Sequence, residues 1–350
     1  MAKLIYNDIC KSFDQVDVLK SISLEIEDGE LVALLGPSGC GKTTMLRLTA
    51  GFERPDCGTI HKGGELMSDA IHHVAPEKRN MGIVFQSYAL WPNMTVAENV
   101  AYPLKIRKLP EEKIDAILFN ALETVSLIDF ADAEPATLSG GQRQRVALAR
   151  CLVMQPDAVL LDEPLANLDA HLREVMQRTF VEFHKRSGAT MVYVTHDQAE
   201  AMAMADRIAV MFNGEVAQID KPQNLYHQPK NEQVARFIGQ SSILTGYLEG
   251  QSEGEWRDVV IHGQEFRTRQ SQHIAALPEA HPVGLCIRPE NVTLDQENGL
   301  PARVISSIYL GERYRLGLEM SDGTDIIAYS NQPVTLGMSV RFSFDRAWAV

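Results

Sequence analysis

The stretch that most constrains this chain is residues 31–44, Leu-Val-Ala-Leu-Leu-Gly-Pro-Ser-Gly-Cys-Gly-Lys-Thr-Thr. Leu31 to Leu35 are consecutive apolar residues and predict a buried strand. Gly36, Pro37, Ser38, Gly39, Cys40, Gly41, Lys42 and Thr43 then fit G-x-x-x-x-G-K-[ST], with Thr44 directly after. Each residue type has a chemical reason. Gly36, Gly39 and Gly41 let the backbone wrap closely around phosphate oxygens with its N–H groups turned inward. A helix starting near Lys42 aims its positive dipole end at the same phosphates. Lys42 reaches the β- and γ-phosphates, and the Thr43 hydroxyl is placed to ligate Mg²⁺. Strand, glycine loop and helix in this order predict a bound nucleoside triphosphate. They do not say what the triphosphate is used for.

The rest of the chain narrows the use. With 350 residues there is length for two or three domains, each with its own core. The formal net charge of −13 argues against a nucleic-acid backbone as partner, since such proteins carry a basic face. Cys10, Cys40, Cys57, Cys151 and Cys286 are odd in number and nowhere spaced C-x-x-C. That pattern predicts neither a disulfide framework nor a zinc site, and a reducing compartment. Cys40 lies inside the glycine loop, where a small residue fits and a thiol reagent would block nucleotide. The first residues show no basic-then-apolar signal segment. No run approaches the roughly 18 apolar residues of a spanning helix, so any work at a membrane needs a partner to hold the chain there.

Alternation predicts strands at 3–8 and 21–27, the second closed by Asp28-Gly29. Phe13 falls in the polar stretch between them. It is either a ring tucked into a core edge or a stacking platform for a base. A helix after the glycine loop should end at Gly51. Short strands follow at 58–62 and 80–85, the second running into Val84-Phe85-Gln86. Thr95 and Glu98 form a T-x-x-E capping box, and Ile114, Ile117, Leu118, Ala121, Leu122 and Val125 recur at helical spacing. Residues 88–157 therefore read as a helical insert between strands of the nucleotide-binding sheet.

Near the end of that insert stands Leu138-Ser-Gly-Gly-Gln142. Ser139 and Gln142 satisfy S-x-x-Q, and Gly140 and Gly141 leave the first-turn N–H groups uncovered, a second anion-binding helix start. Residues 158–163 predict a buried strand ending in Asp162 and Glu163, at the edge where open α/β sheets bind ligands. Asp162 can join the Mg²⁺ shell and Glu163 can polarise a water. A further buried strand at 190–195 leads to His196, a candidate contact to a γ-phosphate. Residues 207–219 read as a hairpin turning at Asn213-Gly214. After Lys230 no lysine follows, and short alternating runs such as 302–309 and 324–329 predict a small all-β domain, with the boundary at 238.

Taken in order, the glycine loop, Val84-Phe85-Gln86, Leu138-Ser-Gly-Gly-Gln142, Asp162-Glu163, Asn167-Leu168-Asp169 and His196 closely resemble the ATP-binding subunits of ABC transporters, over about residues 3–235. The resemblance implies an α/β P-loop ATPase core with an inserted helical subdomain. It implies that Phe13 stacks on adenine and that Gln86 touches Mg²⁺ and senses the membrane partner. Ser139 to Gln142 would close over ATP bound to the opposite subunit of a homodimer. Glu163 would be the general base, His196 the γ-phosphate contact and Asp169 a cross-subunit link. Ile287-Arg288-Pro289-Glu290 in the β-rich tail resembles the accessory, OB-like barrel domain of importer ATPases for sugars, polyamines and ferric iron. The resemblance thus implies ATP hydrolysis with Mg²⁺, coupled to import through integral permease subunits and served indirectly by an extracytoplasmic solute-binding protein. The chain would lie peripherally on the cytoplasmic face of the inner membrane. Ferric iron, a polyamine, a sugar or a phosphorylated small molecule would be the cargo. Two other classes compete: a soluble relative acting on DNA or ribosomes, which usually carries two ATPase halves or long coiled coils, and a GTPase switch. Neither explains Leu138–Gln142 in a single acidic half.

Overall fold

The computed structural model describes residues 2–166, 168–295 and 297–350. The chain divides into two units at Pro222 and Gln223. The first runs β1 (Leu4–Phe13), β2 (Val16–Ile26), β3 (Leu31–Leu35), α1 (Lys42–Ala50), β4 (Cys57–Lys62), β5 (Glu65–Ser68), β6 (Met81–Val84), α2 (Val96–Ile106), α3 (Glu111–Thr124), α4 (Gly140–Leu152), β7 (Ala158–Asp162), α5 (Ala170–Ser187), β8 (Thr190–Thr195), α6 (Gln198–Met204), β9 (Arg207–Phe212) and β10 (Glu215–Asp220).

The apolar strands build one sheet in the order β10-β9-β3-β8-β7-β6, parallel from β9 to β6. Strands β3, β7, β8 and β9 are buried on both faces, as their apolar runs require. Val32, Leu34, Val192 and Val194 face one core, with Met45 and Leu46 of α1. Met191, Tyr193, Val159 and Leu161 face the other, with the helical insert. A second, antiparallel sheet has the order β2-β1-β4-β5. Parallel register brings the strand ends together: Leu35 pairs with Thr195, Asp162 with Val194 and Val84 with Leu161. Gly36, Glu163, His196 and Phe85-Gln86 therefore leave the sheet along one edge.

Two features of this unit differ from the sequence reading, and a third is one it does not mark. Phe13 is not in a loop: it ends β1, paired with Val16 across a tight turn whose Asp14 and Gln15 take positive φ. Cys10 and Cys57 are joined in a disulfide, against the expectation from cysteine spacing. They are register partners on β1 and β4, an alignment set by strand pairing across 47 residues rather than by local spacing. Arg79, a charged residue in a polar run, is fully buried. Its guanidinium donates to the carbonyls of Val74, Leu48, Thr49 and Met67, which makes it the hub between α1 and the antiparallel sheet. Burial lowers its pKa to about 10.

The second unit starts inside α7 (Pro222–His227), continues through α8 (Glu232–Phe237) and is then mainly β, with a one-turn helix at Gln272–Ala275. Strands β11 (Ser242–Glu253), β12 (Trp256–Ile261), β13 (Gln264–Gln270) and β14 (Pro282–Ile287) close into a barrel with β20 (Trp348–Ala349). Between them lie β15 (Val292–Asp295), β16 (Leu300–Tyr309), β17 (Tyr314–Glu319), β18 (Asp325–Ser330) and β19 (Ser339–Phe344), a sheet ordered β15-β19-β16-β17-β18. The boundary read from sequence, 238, falls inside this unit. The buried Arg288 guanidinium donates to the carbonyls of Tyr226 and Ile238 and so holds the helical segment onto the strands.

Candidate functional site

The glycine loop is shaped by three different constraints. A Cβ on Gly36 would stand 2.3 Å from the carbonyl oxygen of Met211 on β9, so this glycine lets two backbones touch. Gly39 meets nothing within 4 Å but has φ +82, a conformation L side chains rarely adopt. Gly41 has both problems, with φ +104 and a virtual Cβ 2.5 Å from Leu19 Cδ2. It is also the cap of α1, so the helix begins at Lys42 with its N–H groups facing the loop. The contact with Leu19 and Val18 packs β2 onto the loop, near the hairpin turn that carries Phe13. The Phe13 ring is part-exposed, with Lys11 Nζ 5.1 Å from its centroid, and Lys11 is itself held by Asp56 at 2.9 Å.

Lys42 is buried, and its ammonium donates to the carbonyls of Gly36 at 2.8 Å and Pro37 at 2.9 Å. Thr43 Oγ1 donates to Asp162 Oδ1 at 3.3 Å. A hydroxyl and a carboxylate this close beside the loop are hard oxygen donors, the set that suits Mg²⁺. Burial raises the pKa of Asp162 and the neighbouring Glu163 charge adds to it, opposed by Thr43, Arg47 and Lys42. Gln86 lies exposed just beyond β6, next to the strand that ends in Asp162. Its segment is braced by a residue the sequence reading passed over. Arg150 of α4 donates to the carbonyls of Tyr88 and Ala89, both at positive φ, and stacks 4.8 Å over Trp91. Arg150 sits in an ordinary helical pattern, and nothing local marks it.

Glu163 follows β7 with φ 43, a strained value for a non-glycine residue. Its N–H is tied to the carbonyl of Val194 at 3.0 Å, and its Oε1 lies 3.1 Å from His196 Nδ1. The structure thus brings together the carboxylate and imidazole proposed for catalysis, on adjacent strand ends. The imidazole is mostly exposed, free to meet a ligand at the sheet edge.

Ser139 caps α4 in a full capping box: its Oγ accepts from Gln142 N–H, and Gln142 Oε1 accepts from Ser139 N–H. Gly141 is buried against Leu172 of α5, whose Cδ2 would lie 2.5 Å from a Cβ there. This helix start belongs to a different layer from the Lys42 loop: α4 packs on α2, α3 and β6, and α1 packs on β7, β8 and β2. Asp169 caps α5 by accepting from Leu172 N–H at 2.9 Å. Asn167 lies outside the described residues.

Fold and edge together define a P-loop ATPase with a helical insert. The comparisons with known proteins agree: the ABC transporter family matches residues 19–166, and a TOBE domain matches residues 285–350. The chain belongs to the ATP-binding subunits of ABC transporters, of the importer type with a C-terminal β-rich domain, and it is an ATPase. It is 45% identical to the spermidine/putrescine import ATP-binding protein PotA of Chromobacterium violaceum, over 99% of this chain and 95% of that protein. It is 42% identical to the sn-glycerol-3-phosphate import ATP-binding protein UgpC of Paracoccus denitrificans, over 100% of this chain and 95% of that one. Among solved structures, a dimeric ATP-binding cassette in a post-hydrolysis state with ADP and Pi superposes with TM-score 0.56 at 31% identity, covering 63% of this chain and 98% of that one. The cbiO1 protein of Clostridium perfringens, part of the cbiONQ transporter complex, gives TM-score 0.60 at 30% identity, covering 67% of this chain and 92% of that one. No helix among the described residues is long and apolar enough to cross a membrane.

Proposed function

We propose that this chain hydrolyses ATP as a homodimer sandwiching two nucleotides and passes the resulting motion to integral permease subunits that import a solute. The observation that carries the reading is the convergence of Lys42, Thr43–Asp162 and Glu163–His196 on one sheet edge, while a second anion-binding helix start stands in another layer. A two-fold dimer gives that second start a purpose, because Ser139–Gln142 of one subunit then faces the ATP held by the Lys42 loop of the other.

In this mechanism the loop N–H groups and Lys42 hold the β- and γ-phosphates. Thr43, Asp162 and Gln86 would hold Mg²⁺, which supplies charge neutralisation on the phosphates. Glu163 takes a proton from the attacking water, and His196, oriented by Glu163, contacts the γ-phosphate. Phe13 stacks on the adenine, and Asp169 meets the opposite subunit. The permease fixes the chain peripherally at the cytoplasmic face of the inner membrane, and an extracytoplasmic solute-binding protein delivers cargo to the permease. The relatives' names point to polyamines and glycerol phosphate, and import of a small polar solute of such a class is the work assigned here.

The test uses Glu163→Gln, which keeps shape but cannot accept the proton. Turnover should fall by about 10²–10⁴-fold while ATP binding persists. Light scattering should show an ATP-dependent shift from monomer to dimer. Adding Ser139→Arg should remove the shift, since the side chain fills the space assigned to the opposite γ-phosphate. A double variant that still dimerises with ATP would leave Leu138–Gln142 as no more than a capped helix.

A further inference from the structure

His196 is an exposed side chain whose ring has, among the described residues, one short contact, to Glu163, so its aim depends on the backbone that carries it. That backbone is held from behind by a buried polar network. Thr195 Oγ1 accepts from Asp197 N–H at 2.9 Å and donates to Glu200 Oε2 at 2.8 Å. Tyr193 OH donates to the same carboxylate oxygen at 2.9 Å. Asp197 Oδ1 caps α6 by accepting from Ala199 and Glu200 N–H. Residues on both sides of His196 therefore depend on Glu200, a carboxylate only 3% exposed.

A buried carboxylate with two hydroxyl donors still needs a cation. Arg173, one turn into α5, supplies it. Its Nε lies 3.7 Å from Glu200 Oε1 and is buried without a hydrogen-bond acceptor, so the pair has room to close further. Its Nη1 lies 3.4 Å from Asp197 Oδ2 and its Nη2 donates to the Leu168 carbonyl at 3.0 Å. One guanidinium thus reaches the residue after His196, the carboxylate behind it and the segment before α5.

We propose that Arg173 and Glu200 are positioning residues for ATP hydrolysis: their ion pair fixes the Thr195–Asp197 turn so that His196 stays aimed at the γ-phosphate beside Glu163. This rests on the roles given above to Glu163 and His196. Neither residue touches nucleotide; both act through the turn. Without Arg173 the Glu200 carboxylate is buried without its cation, and the turn that it anchors must shift to bring the charge to water. Thr195 Oγ1 moves with it, and the hold on Asp197 N–H loosens.

The experiment measures ATP turnover and ATP affinity of the full chain carrying Arg173→Met, Glu200→Gln or both, with Glu163→Gln as reference and melting curves to confirm folding. Arg173→Met should lower kcat by about 10–100-fold, the effect of misplacing a reacting group by about 1 Å. Its ATP affinity should stay within about threefold of the unmodified chain. Glu200→Gln keeps the shape and an acceptor oxygen and should be milder. The double variant, having no unpaired charge, should recover several-fold in kcat over Arg173→Met. A purely structural role would move the melting temperature and leave kcat per folded molecule intact, and that result overturns the proposal. So does a double variant no better than Arg173→Met. Normal turnover in Glu163→Gln would remove the general-base reading and this inference with it. Normal turnover in folded Arg173→Met beside an inactive Glu163→Gln removes this inference alone.

Discussion

Alanine at each loop glycine separates the constraints that a motif lumps together. At Gly36 the new Cβ would sit 2.3 Å from Met211 O and 2.7 Å from Cys40 Sγ. The first neighbour is backbone of a strand paired to β3, so no side-chain rotation relieves it. An ordinary carbon–oxygen contact is more than 3 Å, and loop and β9 must part by about 1 Å. Overpacking of this kind costs about 1–3 kcal/mol, and a rigid backbone neighbour puts Gly36→Ala at about 3. At Gly39 the Cβ meets nothing, and the cost is only that of holding alanine at φ +82, about 1–2 kcal/mol. Urea unfolding of the chain without nucleotide reads these numbers directly. Gly36→Ala should lose about twice the stability that Gly39→Ala loses. If Gly39→Ala proves equal or worse, the close approach of loop and β9 is not what demands glycine at 36, and the reasoning fails.

Two further outcomes follow from buried charge. Arg79→Met should destabilise the chain by about 3 kcal/mol by denaturant titration, since it takes the donor from the Val74 and Thr49 carbonyls and the second donor from those of Leu48 and Met67. Glu30 is pushed up by burial, but hydrogen bonds from Arg207 and from Glu27 N–H, with the Arg207 charge, outweigh this and hold its pKa below the ordinary 4.5. A depressed folded pKa stabilises above the unfolded value, and that stability is lost as pH falls from about 4.5 through the folded pKa. Urea midpoints between pH 3 and 6 should therefore depend less on pH in Glu30→Gln than in the unmodified chain.

What was legible in the sequence is what is written locally. The buried strand before Gly36, the helix start at Lys42 and the capping boxes at Thr95–Glu98 and Ser139–Gln142 use contacts three or four residues apart, and all are present. Strand ends were legible too, because an apolar run ending in Asp162-Glu163 or His196 marks where a buried strand meets water. The parallel order then did the assembling. What escaped is non-local. Cys10 meets Cys57 through strand register, Arg79 is marked only by the four carbonyls that converge on it, Arg150 reaches backbone of a distant segment, and Arg173 reaches the distant carboxylates of Asp197 and Glu200. The alternating β pattern places the boundary at 238, which leaves helix α8 in the first unit. Arg288, fifty residues on by the register of its bond to Ile238, ties it to the second.

Lys42 shows why a motif residue and its energetic contribution are separate questions. Its ammonium already has acceptors in Gly36 O and Pro37 O, in a site nearly closed to water. A phosphate oxygen that reaches Lys42 competes with those carbonyls instead of meeting a hydrated, unpaired cation. A hydrogen bond to a charged group contributes about 1.5–3 kcal/mol net, and here part of that is already spent inside the loop. What the phosphate adds is its charge, since a carbonyl offers a dipole and a phosphate a full anion. In the proposed site the lysine should therefore discriminate strongly between nucleotide charge states while adding modestly to affinity for any one of them. On the role proposed for it, its larger effect should fall on hydrolysis, where negative charge shifts along the β–γ bridge and a fixed cation stabilises the transition state more than the bound ground state.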